Sequence, residues 1–471
     1  MSRALCCFAL LGLAASWPML LTAPSQSPSS LPRAPVASVS LVFARQEGTT
    51  SSVPMQAPTN AGAPTLLTRS QAEQIALANN PRIQVTQLLA KVQHQIVREV
   101  RSNELPNVAG NLTAVEAKED SRLSAGYLTS SALFEHAGMG VQVSQLITDF
   151  GHTQNLVASA KLQEKARLAE AEASREDIVL ATDEVFYQAL EAQATLKVAI
   201  ETVSSRQTLV DQVSALTSAK LKSDLDLSFA QVNLSQARLL QLDAQNNVSA
   251  AKAALRAVLG YDGQVQYQLV DDSGNLAPLP PDAETLIATA IQSRPDLESL
   301  QFNEQAAQKF SRAQAQQLLP TISAMGVVGA TPVGSSEYFN SNWYGAVGVN
   351  MSVPIFNGFR FTAQASEARL QVQAAAERTR DLRNQVVRDV RTAWLDANTA
   401  LQRVAVTGDL LKQANTALDL SQTRYQLGLS SIVELSQAQL QQTQAAISNA
   451  NARSQYGLAI SVLHFQIGVQ P

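Results

Sequence analysis

Few residues of this sequence have the types and spacing that chemistry requires. The candidates for metal binding or nucleophilic attack are two adjacent cysteines and four scattered histidines: Cys6, Cys7, His94, His136, His152 and His464. None of them falls into the spacing of a zinc or iron–sulfur site. The sequence also lacks a nucleophile motif and a glycine-rich phosphate loop. It therefore predicts no enzyme, no cofactor and no metal site, and function is expected to arise from architecture and partners.

Composition narrows the classes of partner. The 471 residues contain 35 Lys+Arg against 39 Asp+Glu, a formal net charge of −4, so no basic surface for nucleic acid is predicted. Charged residues are 16% of the chain, below the roughly 25% of typical soluble domains. Aromatic residues are only 5% although hydrophobic residues are 45%, which indicates that small aliphatic side chains make most of the packing.

The N-terminus predicts export. Arg3 precedes an apolar run that ends at Leu21, and small residues follow, which is the pattern of a secretory signal peptide over 1–23. The alternative is a membrane anchor, which Pro18 and the lack of basic residues after the run disfavour. Residues 24–66 are rich in Pro, Ser and Ala and predict a flexible leader. Both cysteines would be removed with the signal peptide.

Two copies of one unit follow the leader. Landmarks recur in the same order at nearly constant offsets. The matched pairs are Asn80-Pro81 with Arg294-Pro295, Leu105-Pro106 with Leu319-Pro320, Asp149-Phe150-Gly151-His152 with Asn357-Gly358-Phe359-Arg360, and Asp226-Leu227-Ser228 with Glu434-Leu435-Ser436. Such a series indicates an internal duplication. The first repeat is predicted over 67–263, a connector over 264–284 and the second repeat over 285–468.

Each repeat has the same predicted elements. Thr68 begins a capping box for a short opening helix, and Pro81 and Pro295 suit the first turn of the next helix. Residues 152–220 and 360–427 are rich in helix formers and nearly free of Gly and Pro, which predicts helices about 100 Å long. The further predicted helices are 82–104, 225–259, 295–318 and 431–463, the strands are 107–117, 138–148, 321–330 and 343–353, and polar loops cover 118–137 and 331–342.

The strand pattern predicts a membrane barrel. Val347, Val349 and Met351 share one face of the strand 343–353, and Gly, Asn and Ser occupy the other, as in an outer-membrane strand of about ten residues. A bilayer tolerates only a closed sheet, and four strands per chain are fewer than the eight of the smallest barrels. The predicted fold is therefore mainly α with a membrane β-barrel portion. Three chains would form a twelve-stranded barrel, continued by a long α-helical coiled-coil tunnel. The alternative at this point is a soluble periplasmic coiled-coil protein with two polar hairpins.

Taken together, these motifs resemble the TolC-type outer-membrane efflux protein family over about 67–468. The matching phrases are Ala78 to Pro81, the two Leu-Pro strand entries, the strand-to-helix exit from Pro354 to Arg360, and the phrase from Arg424 to Leu435 followed by Ala438-Gln439. One such phrase alone would be a weak signal. Their order across a duplicated chain carries the resemblance.

The resemblance implies a homotrimeric, passive duct in the cell outer membrane, with its helical tunnel in the periplasm. Outer-membrane lipid would surround the barrel. A periplasmic adaptor protein would meet the tunnel tip and connect it to an inner-membrane efflux pump or a secretion ATPase. The alternatives are an envelope-spanning structural coiled-coil protein without a pore, and a hydrolase, for which the sequence offers no catalytic constellation.

The resemblance also implies positions for the functional residues. The helix turns that dock the adaptor would contain Gly428, Leu429, Ser430, Lys222 and Ser223. The periplasmic aperture would contain Glu434, Gln437, Asp226 and Tyr425. Strand-to-helix junctions would use Gly151 and Gly358, and Trp343 would be an interfacial anchor. Three Glu434 carboxylates in a ring would attract cations.

Several positions depart from the family pattern. Gln437 replaces a second acid of the aperture, and Ser430 replaces an arginine that forms a charged latch with Tyr and Asp in some relatives, so that latch is predicted to be absent. The first turn, 220–223, contains no glycine, which puts its docking geometry in question. Alternative roles stay open: Glu434 as a solvated helix carboxylate, Tyr425 as heptad packing, and Trp343 as ordinary packing.

Overall fold

The computed structural model of the protein is mainly helical. It describes residues 65–116, 122–125, 128–132, 136–261, 267–270, 278–330 and 343–469, so the predicted signal peptide, almost all of the leader and the predicted loop 331–342 lie outside the described residues. The helices are α1 (Arg69–Asn79), α2 (Pro81–Ser102), α3 (His152–Ser218), α4 (Asp224–Leu259), α5 (Ala283–Ser293), α6 (Pro295–Gln316), α7 (Arg360–Gln426) and α8 (Ile432–Ile467). The strands are β1 (Thr65–Leu67), β2 (Asn107–Val115), β3 (Arg122–Ala125), β4 (Leu128–Ala132), β5 (His136–Thr148), β6 (Tyr267–Leu269), β7 (Thr321–Ala330) and β8 (Trp343–Ser352).

The two halves of the chain contain helices of equal length in the same order. α1 and α5 have 11 residues each, α2 and α6 have 22, α3 and α7 have 67, and α4 and α8 have 36. At about 1.5 Å per residue, α3 and α7 are each about 100 Å long. These two rods are far longer than the core of a compact domain.

Local sequence signals set the ends of these helices. The Thr68 hydroxyl accepts a hydrogen bond from the Gln71 backbone N–H, and the Gln71 side chain accepts one from the Thr68 backbone N–H at 3.1 Å, which closes a capping box at α1. α2 and α6 begin at proline, whose missing N–H is not needed in the first turn. α4 and α8 end before Gly260 and Gly468, which take left-handed φ angles of +72° and +71°.

The main sheet has four antiparallel strands in the order β2-β5-β7-β8. Val347 pairs with Gly326, Gly326 with Val143, and Val143 with Val108. These four residues therefore form one row across the sheet and share one face. Strand β2 forms one edge of this sheet and β8 forms the other.

The two faces of the sheet differ in chemistry. One face exposes large apolar side chains from all four strands: Val108, Leu112, Met139, Val141, Val143, Val328, Val347, Val349 and Met351. The opposite face carries most of the polar side chains, interleaved with small residues and with Leu146, Met325, Val327 and Tyr344. These polar residues are Asn107, Asn111, Gln142, Ser144, Ser323, Asn350 and Ser352. The single-strand alternation in the sequence therefore extends across the whole sheet.

Small residues make the helix packing. α3 contacts α2, α4, α6 and α8, and α7 contacts α6 and α8. Ala199 of α3 and Ala397 of α7 are fully buried, as are Val386 and Val390. Such side chains allow close helix approach and few large cavities. Within the described ranges, no helix combines the length and hydropathy that a membrane-spanning helix needs.

Short paired strands lie in segments for which the sequence predicted no strand. The leader was predicted to be flexible to residue 66 and 264–284 to be a connector, yet β1 and β6 pair in parallel and bury Leu67 and Leu269 in one cluster. The loop predicted over 118–137 contains a hairpin of β3 and β4, and β5 begins at His136. Strands of three to five residues are too short to show an alternation of their own, because their stability comes from a pairing partner.

A buried charged cluster joins α1, α3 and α8. Arg69 Nη1 lies 2.9 Å from Asp183 Oδ2 and 3.1 Å from Glu73 Oε1, and it donates a long hydrogen bond of 3.5 Å to Ser461 Oγ. The Asp183 side chain is only 3% exposed. Burial, a hydrogen bond to Asp183 and the charge of Asp183 raise the pKa of Glu73 to about 7, although Arg69 opposes the shift. One cation therefore serves two carboxyl groups.

This cluster predicts a pH dependence of stability. Because the pKa of Glu73 is raised from 4.5 to about 7 on folding, its contribution is fully present below pH 4.5 and is lost as the pH rises through 7. We expect the free energy of unfolding to fall by roughly 1 kcal/mol between pH 6 and pH 8 from this group. Thermal unfolding followed by circular dichroism at both values measures the change. Glu73→Gln should flatten it, and an unchanged slope in that variant would contradict the assignment.

Two helix glycines should respond oppositely to alanine. A Cβ at Gly457 of α8 would lie 2.5 Å from Cε1 of Tyr187, whereas one at Gly408 of α7 would lie 3.7 Å from the nearest atom, Nδ2 of Asn449. We expect Gly457→Ala to destabilise the protein by about 1–3 kcal/mol through overpacking. Gly408→Ala should stabilise it by roughly 0.5–1 kcal/mol through helix propensity. Chemical denaturation of the pair checks this, and two changes of the same sign would contradict it.

Candidate functional site

The chain has two ends of functional interest, which α3 and α7 connect. The four-stranded sheet lies where these helices begin, at the junctions 149–152 and 357–360. The turns 219–223 and 427–431 lie about 100 Å further along, where α3 turns back into α4 and α7 into α8. Contacts of α8 with both α3 and α4 bring the two turns together.

Each strand-to-helix junction uses two consecutive residues with left-handed backbone. Phe150 and Gly151 have φ angles of +55° and +98°, and Gly358 and Phe359 have φ angles of +64° and +65°. The glycine therefore occupies the first position in one junction and the second position in the other. In the first junction, Asp149 accepts a hydrogen bond from the Thr153 N–H at 2.7 Å, which fixes the start of α3. The structure thus places Gly151 and Gly358 between the sheet strands and the long helices, at the starts of α3 and α7.

The two far turns have the same backbone geometry although only one contains glycine. The N–H of Leu221 donates to the Leu216 carbonyl and that of Leu429 to the Arg424 carbonyl, each at 2.8 Å, which is the Schellman pattern of a helix end. Gly428 takes φ +76°, and Lys220 takes φ +60° at the matching place. The missing glycine therefore does not alter the shape of the first turn, because a lysine accepts the left-handed conformation there.

This strained lysine leads to a paired prediction. A non-glycine residue in the left-handed region costs about 1–2 kcal/mol in the folded state. Glycine avoids this cost, but it also increases the conformational entropy of the unfolded chain, which offsets part of the gain. We expect Lys220→Gly to stabilise its turn by roughly 0.5–1 kcal/mol, and Gly428→Ala to destabilise its turn by about 1 kcal/mol. Hydrogen exchange of peptides that cover the two turns measures both changes. Slower exchange in Gly428→Ala would contradict this account.

Tyr425 holds the two turns together. It is 5% exposed and packs in a cluster with Leu209, Val213 and Ala230 of the first hairpin and with Ile432 and Leu435 of the second. The ammonium of Lys222 lies 4.2 Å from the centre of the Tyr425 ring, a cation–π contact between the turns. Burial and the nearby Asp226 carboxylate raise the pKa of the Tyr425 phenol.

The part of the chain that the structure describes offers no hydrogen-bond partner to two hydroxyl groups at the positions of the latch. The Tyr425 Oη and the Ser430 Oγ are buried and have no hydrogen-bond partner among the described residues. Asp226 instead accepts a hydrogen bond from the Ser223 backbone N–H at 3.3 Å, as part of the capping box of α4. The structure therefore brings Tyr425 near Asp226 through packing, and the cation beside the ring comes from Lys222 of the opposite turn.

Glu434 and Gln437 lie one turn apart on an exposed face of α8. The Glu434 carboxylate is 3.7 Å from the Arg424 guanidinium across the turn, and both side chains are about half exposed. Arg424 and Glu434 belong to the same sequence motif, but nothing in the sequence indicated that their side chains form an ion pair. The Lys222 contact was missed for the same reason, since only the fold brings residue 222 to residue 425.

Trp343 begins β8 on the apolar face of the sheet. It pairs with Ala330, which pairs with Met139 of the same face, and its side chain is 71% exposed. Leu221, Leu427 and Leu429 are exposed apolar side chains of the two far turns. The chain therefore exposes apolar surface at its sheet and at its helix turns.

Comparison with known proteins decides the family. The sequence model for the family described as "Outer membrane efflux protein" matches residues 73–261 and 286–468. The chain belongs to the outer membrane efflux protein family. Its two matched segments coincide with the two sets of equal-length helices. The predicted family is therefore confirmed, and with it the placement of this efflux protein in the outer membrane.

Individual relatives cover most of this efflux protein. The outer membrane protein TolC of Escherichia coli K12 is 22% identical over 405 residues, which are 82% of this chain and 79% of TolC. The outer membrane protein OprJ of Pseudomonas aeruginosa is 25% identical over 372 residues, or 78% and 76%. A crystal structure of CusC matches with a TM-score of 0.76 at 18% identity and covers 91% of this chain and all of that one. The Campylobacter jejuni CmeC outer membrane channel gives 0.74 at 17% identity, with 85% of each chain covered.

Proposed function

We propose that this efflux protein is one subunit of a passive, trimeric outer-membrane duct. It would receive substrates from an inner-membrane efflux pump or secretion ATPase through a periplasmic adaptor protein, without catalysis of its own. The observation that carries the proposal is the division of the sheet into one exposed apolar face and one mainly polar face across all four strands. Such a sheet suits lipid on one side and an aqueous lumen on the other.

The open edges of the sheet support an assembly of several chains. β2 and β8 are the edge strands, and unpaired backbone groups are costly in lipid, so a spanning sheet must close. One chain contributes four strands, and the smallest barrels have eight. Pairing of β8 with β2 of a neighbouring copy would extend the sheet in the same antiparallel sense. Three copies give the twelve strands that the resemblance implies.

The helices support the same closure. Within the chain α2 contacts α3, α3 contacts α6, and α6 contacts α7. The described part of the chain shows no extensive contact between α7 and α2, which is the step that would continue this series. α2 also exposes an apolar stripe with helical spacing: Val85, Leu88, Leu89, Val92 and Ile96. We infer that this stripe packs on α7 of the next subunit and closes a ring of helices into a tunnel.

The equal halves support an internal duplication with the boundaries that the sequence predicts. The repeats would be 67–263 and 285–468, joined by 264–284, and a signal peptide (1–23) and leader (24–66) would precede them. The parallel β1–β6 pair joins the connector 264–284 to the start of the first repeat. In the assembled duct, Trp343 would anchor the barrel at the lipid interface, and Gly151 and Gly358 would let the strands turn into the tunnel helices.

The far turns would form the periplasmic entrance and dock the adaptor. The docking residues would be Gly428, Leu429 and Ser430 of the second turn and Lys222 and Ser223 of the first. Exposed leucines beside them offer apolar surface to a partner. Glu434, Gln437, Asp226 and Tyr425 would surround the aperture.

Ion conductance tests the proposal. The mature protein, extracted from outer membranes in detergent, should run as a trimer in native mass spectrometry and conduct ions in planar bilayers. A structural tether would give no conductance, and a water-soluble monomer in the periplasmic extract would also contradict the proposal. As a control, heat-dissociated protein added at the same detergent concentration should give no current.

A further inference from the structure

The tip of the second hairpin contains an ion pair that the assignment of Glu434 to the aperture does not use. Arg424 is in the last turn of α7 and Glu434 in the first turn of α8, with 3.7 Å between Nη1 of Arg424 and Oε1 of Glu434. Nη2 of Arg424 also lies 3.4 Å from the Leu429 carbonyl, to which it donates a hydrogen bond. The guanidinium therefore lies across the turn beside the carboxylate, although both side chains stay about half exposed.

A paired carboxylate acts on passing ions differently from a free one. The field of two opposite charges less than 4 Å apart falls off as a dipole, and salt screens what is left within about 8–10 Å at 0.1–0.15 M ionic strength. The surrounding turns add no net charge. Residues 219–226 and 424–434 contain three cations and three anions: Lys220, Lys222, Arg424, Asp224, Asp226 and Glu434. Gln437, one helical turn from Glu434, is uncharged.

We infer that Arg424 determines the ion preference of the periplasmic entrance by compensating the charge of Glu434. The inference rests on the proposed duct and deepens it. A ring of three Glu434 carboxylates alone would favour cations, whereas a ring of three Arg424–Glu434 pairs is close to neutral. The entrance of this efflux protein is thus weakly selective, and it accepts anionic and cationic substrates of the pump with similar ease.

The test is the permeability ratio of K⁺ to Cl⁻, measured from reversal potentials of the trimer in planar bilayers under a KCl gradient. The wild type should give a ratio near one. Arg424→Gln, which exposes Glu434, should raise the ratio roughly threefold and introduce block by Mg²⁺ from the periplasmic side. Glu434→Gln should lower the ratio to a similar extent, because it leaves the arginine alone. The double variant should return to the wild-type value.

Two matched variants separate this effect from general loss of charge. Arg424→Lys keeps the positive charge at the same place and should behave as the wild type. Arg380→Gln removes an arginine paired with Glu377 on the same helix, about 65 Å from the turn at about 1.5 Å per residue, and should leave the ratio unchanged.

The outcomes distinguish this inference from the proposed function. A wild type that carries no current contradicts the duct itself. A wild type that conducts, with the same ratio in Arg424→Gln and in Glu434→Gln, overturns the role of Arg424. A strongly cation-selective wild type also overturns it, since the pair would then leave Glu434 uncompensated.

Discussion

Replacing Arg69 by methionine should destabilise this efflux protein by about 3–5 kcal/mol at pH 8, the range found when one partner of a buried ion pair is removed. Arg69 is the cation beside both Asp183 and Glu73, and the Asp183 side chain is 3% exposed. Without the guanidinium, the buried Asp183 side chain has no cation beside it in the junction of α1, α3 and α8. Chemical denaturation in detergent, followed by circular dichroism, measures the loss.

The expected loss depends on pH in a direction that tests its cause. Because burial raises the pKa of Glu73 to about 7 and Arg69 opposes that shift, Glu73 without Arg69 is protonated at pH 5, so Arg69→Met should lose less stability there than at pH 8. Arg167→Met is the matched control, because Arg167 pairs with Glu170 on the surface of α3 and both side chains are about half exposed. Such a pair contributes about 1 kcal/mol or less. Equal losses in the two variants, or a loss that does not change with pH, would contradict the buried cluster.

Sequence patterns predicted the parts of this fold that repeat over many residues. Helix formers with almost no Gly or Pro over 152–220 and 360–427 predicted α3 and α7, and the alternation around Val347 predicted a strand with two different faces. Proline at a first helical turn marked the starts of α2 and α6. Each of these signals is local, because the residues that specify the element lie within it.

Contacts between distant segments could not be predicted in the same way. The β1–β6 pair joins residues about 200 positions apart, and neither segment shows a pattern of its own. The same limit applies to the aperture. Tyr425 and Glu434 were singled out by family resemblance, yet their partners Lys222 and Arg424 depend on how two turns meet and how one turn closes. The aperture and docking roles of these residues stay predictions. Variants of Lys222 and Arg424, which contact Tyr425 and Glu434, test them.

Replacing Tyr425 by alanine should separate the two hairpin tips and raise the current through the duct several-fold. Removal of a large buried side chain costs about 3–5 kcal/mol, and here the lost contacts include those with Leu209, Val213 and Ala230 of the first hairpin. An equilibrium shift of that size is enough to change the dominant state of the entrance. Limited trypsin digestion gives a second measurement that needs no channel, since cleavage after Lys220 and Arg424 should accelerate when the turns loosen.

The comparison of Tyr425→Ala with Tyr425→Phe decides which part of the side chain holds the tips. Because the hydroxyl is buried and no described residue pairs with it, the phenylalanine variant should keep wild-type current and digestion rates. Lys222→Met, which removes only the cation from the ring, should fall between the two, since such contacts contribute about 0.5–2 kcal/mol. If Tyr425→Phe opened the entrance as far as Tyr425→Ala, a hydrogen-bonded latch through the phenol would be the correct account. If Lys222→Met left the current unchanged while Tyr425→Ala opened the entrance, apolar packing alone would join the hairpins, and the cation–π contact of Lys222 would not contribute.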